Sequence, residues 1–202
     1  MRSGADKPSA DRIAVLRAAI AGCQVCAPHL AAGPRPIVQF GAKAKILIIG
    51  QAPGAKVHAS GIPWQDDSGE RLRAWTGLTA ADFYDPDKVA LMPMGFCYPG
   101  KGTGGDLPPR PECAPLWHAQ ILDQLPEDRL TLLVGTYAQA GYLPRRPART
   151  LTETVRAFHE VGPAVIPLPH PAWRVTLWMK KNPWFEADLL PVLGAAVKAR
   201  LP

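Results

Sequence analysis

Four consecutive aliphatic residues, Ile46-Leu47-Ile48-Ile49, stop abruptly at Gly50-Gln51-Ala52-Pro53-Gly54. An unbroken apolar run of this kind has no solvent face. As a strand it must be covered on both sides, the situation of strands in a parallel sheet. About 120 residues later, Ile166-Pro167-Leu168 runs into Pro169-His170-Pro171-Ala172-Trp173-Arg174. Each segment reads as a buried strand ended by Gly/Pro turn chemistry that presents a polar side chain. In an open α/β sheet the carboxyl ends of the strands are where ligands bind.

The remaining pattern alternates in the same way. Strands are expected over 45–50, 89–92, 130–134 and 164–168, and helices over 10–22, 68–77, 112–125, 137–142, 152–158 and 184–201. Ser9 and Ser68 are expected as helix caps, with Gly22 and Gly77 closing the helices they begin. Residues 95–111 hold five glycines and four prolines and are expected to be a long loop. No internal repeat or linker interrupts the chain. The expected architecture is a three-layer α/β/α sandwich around a central, mostly parallel sheet, with residues 1–202 forming a single domain.

The bulk properties narrow the partners. With 202 residues the chain can bury one sizeable core, and its formal charge of +6 suits a polyanion. No apolar run approaches the roughly 20 residues of a membrane helix. The first residues, mixed in charge, lack the apolar region of a secretory signal. A cytoplasmic protein is therefore expected, in which four cysteines are not disulfides.

Taken as residues, the candidate site groups have two readings each. The Gly50–Gly54 loop is either a plain strand-to-helix turn or a stiff loop that aims backbone N–H groups at a ligand. Asp66 is a solvated loop carboxylate or a functional one, and Asp67, directly before Ser68, is expected to act in helix capping. His170 is structural or catalytic, although flanking prolines are a costly way to place an ordinary core histidine. Trp173 is core or an exposed wedge. Cys23 and Cys26 form a CxxC, and Cys97 and Cys113 have fifteen residues between them. They are core hydrophobes or ligands of a metal or cluster, and the wide second pair argues against a zinc ribbon. Arg145, Arg146 and Arg149 form a solvated basic face or a phosphate site, and His58 contacts a ligand or nothing.

The two loops together resemble motifs A and B of the uracil-DNA glycosylase superfamily. Gly50-Gln51-Ala52-Pro53-Gly54 is similar to the Gly-Glu-Ala-Pro-Gly of the thermophile-type family 4 enzymes and differs only at Gln51. Ala52 stands where the most efficient family carries the Asp that handles the attacking water, so that route is closed. Gly61-Ile62-Pro63-Trp64 resembles the segment whose aromatic ring stacks on the flipped base, and Asp66 with Ser68-Gly69 resembles the Asp-x-Ser-Gly of family 5. The C-x2-C, long insertion, C-x15-C spacing resembles the 4Fe–4S pattern of family 4. Family 4's Asn before the third cysteine is missing from Leu91-Met92-Pro93-Met94-Gly95-Phe96, which leaves the choice among uracil, hypoxanthine and xanthine open.

The resemblance, spanning Cys23 to about Leu190, implies a monofunctional base-excision glycosylase, a hydrolase of N-glycosyl bonds in DNA repair. It implies His170 and Asp66 as catalytic residues, and base binding by Gln51, Ala52, Pro53, Gly54 and Trp64. DNA contacts are implied for Trp173, Arg174, Lys180 and Lys181, with a 4Fe–4S cluster on Cys23, Cys26, Cys97 and Cys113. The expected partner is DNA carrying uracil or another deaminated base, bound by a monomer. Two rival functions remain: an N-glycosidase acting on free nucleotides, and a non-catalytic protein that binds DNA lesions or abasic sites.

Overall fold

The computed structural model describes residues 10–143 and 150–201. Ser9 and the Arg145–Arg149 cluster lie outside the described residues. In chain order the elements are α1 (Ala10–Ala21), β1 (Ile46–Ile49), α2 (Ala55–Ser60), α3 (Asp67–Thr76), α4 (Ala80–Phe83), β2 (Val89–Leu91), β3 (Lys101–Gly102) and β4 (Gly105–Asp106). They continue with α5 (Ala119–Leu122), β5 (Leu130–Val134), α6 (Thr136–Tyr142), α7 (Leu151–Arg156), β6 (Val165–Leu168), α8 (Val175–Lys181) and α9 (Leu190–Lys198). A π-helical turn precedes each of α5 and α9, at Ala114–His118 and Phe185–Leu189.

The main sheet has the order β2-β1-β5-β6, and every pairing is parallel. β1 is paired on both edges and covered on both faces, so all four of its side chains are fully buried. Its alternation sorts the core. Ile46 and Ile48 face a cluster with Leu72 and Trp75 of α3, Val155 of α7 and Leu193 of α9. Leu47 and Ile49 face the opposite cluster with Ile13, Leu16 and Ile20 of α1, Ile121 of α5 and Ala138 of α6. This is the expected three-layer arrangement. Burying a side chain of this size stabilises the fold by about 1.5–3 kcal/mol relative to leaving it exposed.

Several local expectations are corrected. The cap of α3 is Asp66 rather than Ser68 or Asp67, because the Asp66 side chain accepts the Gly69 N–H at 2.9 Å. Asp67 is exposed and pairs with Lys56 at 3.1 Å. The loop over 95–111 contains the two-residue hairpin β3–β4, too short and too polar to show a strand pattern. Helices α2, α4 and α8, each at most two turns long, were not anticipated from the sequence.

The chain leaves β1 toward β2 on one side and returns past β1 to β5 on the other. The crevice at the carboxyl ends of β1 and β5 is therefore the switch point of the sheet, the usual ligand position in such folds. Gln139, buried on α6, fixes the geometry of this end. Its Nε2 donates to Leu133 O at 3.3 Å and to Leu168 O at 2.9 Å, tying β5 to β6 where the His170 loop begins. Gln139→Leu removes the donor while both carbonyls stay buried. It should lower unfolding stability by about 1–3 kcal/mol, measured as a shift in the urea midpoint at constant slope.

Candidate active site

At the carboxyl ends of β1 and β6 lies a cavity of about 420 Å³. The backbone of Gln51, Ala52, Pro53 and Gly54 forms one wall, and Trp64, Asp66, His170 and Arg174 line the others. The loop wall is held rigid from below. Met94 N–H donates to Gly50 O at 2.9 Å and Gly95 N–H to Gln51 O at 3.0 Å, extending the β1–β2 ladder beyond the strands. Loop positions fixed this way lose little entropy on binding.

Trp64 lies directly against the end of β1. A Cβ on Gly50 would come within 2.7 Å of the indole Cζ2, so only glycine lets the ring pack there. Trp64 is also the one non-glycine residue with positive φ among the described residues, at 58°. Such backbone costs about 1–3 kcal/mol and persists only where the surroundings enforce it. The enforcement comes from α3, whose first turn presses on the Trp64 carbonyl so closely that a Cβ on Gly69 would overlap its oxygen. The indole stacks on the His170 imidazole with centroids 5.8 Å apart and planes 30° apart.

Asp66 sets both the start of α3 and one polar wall of the cavity. Its Oδ1 is committed to Gly69 N–H, which holds the carboxylate in one place beside Trp64 and Ser68.

His170 leaves β6 between two prolines and sits over Gly135, where a Cβ would be 3.4 Å from the histidine Cβ. The close approach uses the positive φ of Gly135, 85°, a conformation in which glycine carries no steric penalty. Burial pushes the His170 pKa below its ordinary 6.5, against the opposing pull of the Asp66 and Asp106 carboxylates. A neutral imidazole donates one N–H to a ligand without bringing a full charge. Arg71, which the sequence reading did not single out, clamps this loop: its Nη1 donates to Pro171 O at 2.6 Å and joins α3 to the histidine turn.

The sequence reading also missed Asp106. It lines the same cavity from the end of β4, across from the Gly50–Gly54 loop. Only the tertiary fold brings the hairpin there, since 52 residues separate Asp106 from Gly54.

Trp173 is 75% exposed, which removes the core reading for it. The Arg174 guanidinium lies 5.3 Å from its ring centroid, so the two form one unit at the cavity rim. Lys180 and Lys181 are exposed in the last turn of α8. His58 packs against Tyr98 with ring centroids 5.8 Å apart and does not line the cavity.

The four cysteines are free and gather at a separate place. Cys23 and Cys26 follow α1, Cys97 follows the β2 extension and Cys113 precedes the π-helical turn. All four line one small void with Pro34, Pro36, Phe96 and Trp117. Burial pushes the Cys113 thiol up to about 12, and burial and the neighbouring sulfurs also raise Cys97. Among the described residues, no group of three or more His, Cys, Asp or Glu is drawn tightly enough to hold a single metal ion. What the four thiols share is the void they line together, with sulfur donors of the kind that a cluster or a soft metal takes.

Residues 38–194 match the family model described as the Uracil DNA glycosylase superfamily, which covers more than half of the chain. The match contains both strand-end loops, the Trp64–Asp66 segment and the hairpin. No helix among the described residues is long and apolar enough to cross a membrane.

The depressed His170 pKa has a consequence for stability. Below about 6.5 the unfolded chain takes up a proton that the folded imidazole refuses, so stability falls as pH drops toward the native value and then levels off. His170→Gln removes this contribution. The variant should lose less stability than the parent between pH 7 and pH 5 in denaturant titrations, and parallel losses would show that the native imidazole is not held neutral.

Proposed function

This chain belongs to the uracil DNA glycosylase superfamily, and on that premise we propose that it is a monofunctional DNA glycosylase. Its substrate is DNA carrying uracil or a related deaminated base, which leaves the helix, enters the cavity and is cut from its sugar. The supporting observation is the convergence of Trp64, Asp66, His170 and the Gly50–Gly54 backbone on one cavity. Its volume is within the range of small-ligand sites.

The indole of Trp64 offers a flat apolar face for the extruded base, worth about 1–3 kcal/mol for a stacked base. The Gln51–Gly54 backbone meets the base edge, which takes over part of the recognition left by the missing Asn. Breaking the N-glycosidic bond leaves negative charge on the base and positive charge on the sugar. His170, neutral and fixed by its prolines and the Arg71 clamp, donates to the base as that charge grows. Asp66 stabilises the sugar cation and helps orient water, the two tasks carboxylates perform in glycoside hydrolysis. Neither strand-end loop contains a lysine to form a Schiff base, so strand cleavage is not expected.

Trp173 and Arg174 stand at the rim, where an exposed aromatic ring can fill the gap left by an extruded nucleotide. Arg174 supplies a phosphate contact there, and Lys180 and Lys181 supply further ones from the last turn of α8. Cys23, Cys26, Cys97 and Cys113 would hold a 4Fe–4S cluster. Its contribution is structural, joining the segment after α1 to the segment that carries the β3–β4 hairpin.

Asp66→Asn is a clean test because asparagine caps a helix about as well as aspartate, so α3 keeps its start. Single-turnover base release from a uracil oligonucleotide should fall about 100-fold or more while DNA binding persists. His170→Ala should cost a similar factor, about that of one oxyanion-type donor. Parent protein that binds the oligonucleotide and releases no base would instead support the lesion-binding alternative. Release from free deoxynucleotides alone would support the nucleotide N-glycosidase.

The cluster assignment has its own measurement. Protein purified without oxygen should be brown and carry about four iron atoms per chain, and Cys97→Ser should lose both colour and iron. Colourless protein holding one zinc would replace the cluster with a zinc staple.

A further inference from the structure

The cavity holds a second carboxylate for which the reaction outlined above has no use. Asp106 ends the β3–β4 hairpin, in which Lys101 pairs with Asp106 and Gly102 with Gly105. The hairpin folds back over the strand-end loop, so that a Cβ on Gly54 would lie 3.4 Å from Asp106 Oδ2. Burial, and after it the Asp106 carboxylate, push the pKa of the Tyr98 hydroxyl above its ordinary value. Asp66, Asp106 and His170 line the same cavity, and both carboxylates act electrostatically on the imidazole.

The two acids are held differently. Asp66 is partly buried, and one of its oxygens is bound to Gly69 N–H at 2.9 Å. That bond immobilises the carboxylate, which suits a fixed counter-charge beneath the sugar. Asp106 is exposed at the cavity mouth, at the end of the β3–β4 hairpin. It is open to incoming water and to bulk solvent. Hydrolysis of an N-glycosidic bond needs both a fixed negative charge near the sugar and an acceptor for the proton of the attacking water.

We propose that Asp106 is a second catalytic carboxylate that accepts the proton of the attacking water, while Asp66 supplies the fixed charge. This assignment rests on the base-excision reading above. In the step, the bond between C1′ and the base nitrogen breaks, and its electron pair leaves with the base, whose anion accepts a hydrogen bond from His170. The water oxygen forms the new bond to C1′, and the proton it sheds passes to the Asp106 carboxylate. Asp106 then returns that proton to solvent, and the base anion takes one up.

The test compares the parent protein with Asp106→Asn and Asp66→Asn in single-turnover base release from a uracil duplex. Binding is measured separately on a duplex carrying a non-hydrolysable 2′-fluorinated deoxyuridine. Asp106→Asn should release base about 100-fold more slowly, with binding to the fluorinated duplex within about twofold of the parent and an unchanged thermal midpoint. Asp106→Glu should recover part of the rate. Asp106→Asn at the parental rate, with Asp66→Asn impaired, would overturn the role of Asp106 and leave the base-excision reading standing. A slow Asp106→Asn protein whose binding falls by the same factor would also overturn it, since the residue would then serve binding. A parent protein inactive on uracil, hypoxanthine and xanthine DNA would overturn both.

Discussion

Everything in this molecule is referenced to β1, buried on both faces and paired along both edges. A strand in that position has no freedom to slip, because a shift of one residue would exchange its two apolar faces and break two ladders at once. Its carboxyl end is therefore a fixed point, and the Gly50–Gly54 loop inherits that rigidity. The loop then meets the N–H groups of Met94 and Gly95 instead of solvent. The proposed discrimination among flipped bases would benefit from walls that do not move.

The second organising constraint is steric. Gly50 and Gly69 leave a slot into which Trp64 is forced with a left-handed backbone. Core packing of α3 through Leu72 and Trp75 offsets the strain. The same helix begins with the capping carboxylate of Asp66 and carries the Arg71 clamp on the His170 loop. One short helix thus positions a stacking surface, a carboxylate and the histidine turn. Damage to its packing would disturb all three together.

The segment from Cys97 to Cys113 links the two remaining features. Its ends enter the cysteine group, and its middle forms the hairpin that carries Asp106 to the cavity. A hairpin of two-residue strands has little stability of its own. Anchoring both ends, by buried thiols or by the cluster proposed for them, limits how far its tip can wander. The void around the cysteines and the cavity around His170 are therefore mechanically connected although they share no lining residue.

The long-period features were legible in the sequence. The apolar run of β1, the matching run of β6 and the Gly/Pro stops after them determined a parallel sheet whose carboxyl-end loops line the cavity, because burial on both faces leaves no polar position in a strand. The cysteine spacing raised the expectation of a shared group, and the fold brings all four cysteines to one void. Contacts between distant segments were decided only by the tertiary structure. Asp66 rather than Ser68 caps α3, because the chain turns sharply at Trp64 and brings the Asp66 carboxylate, not the serine hydroxyl, onto the Gly69 N–H. Arg71 meets Pro171 across 100 residues. Asp106 reaches Gly54 through a hairpin too short to leave a periodic signal. A local pattern records which face of an element is buried, whereas the meeting of two loops depends on how the layers stack, and no single segment encodes that.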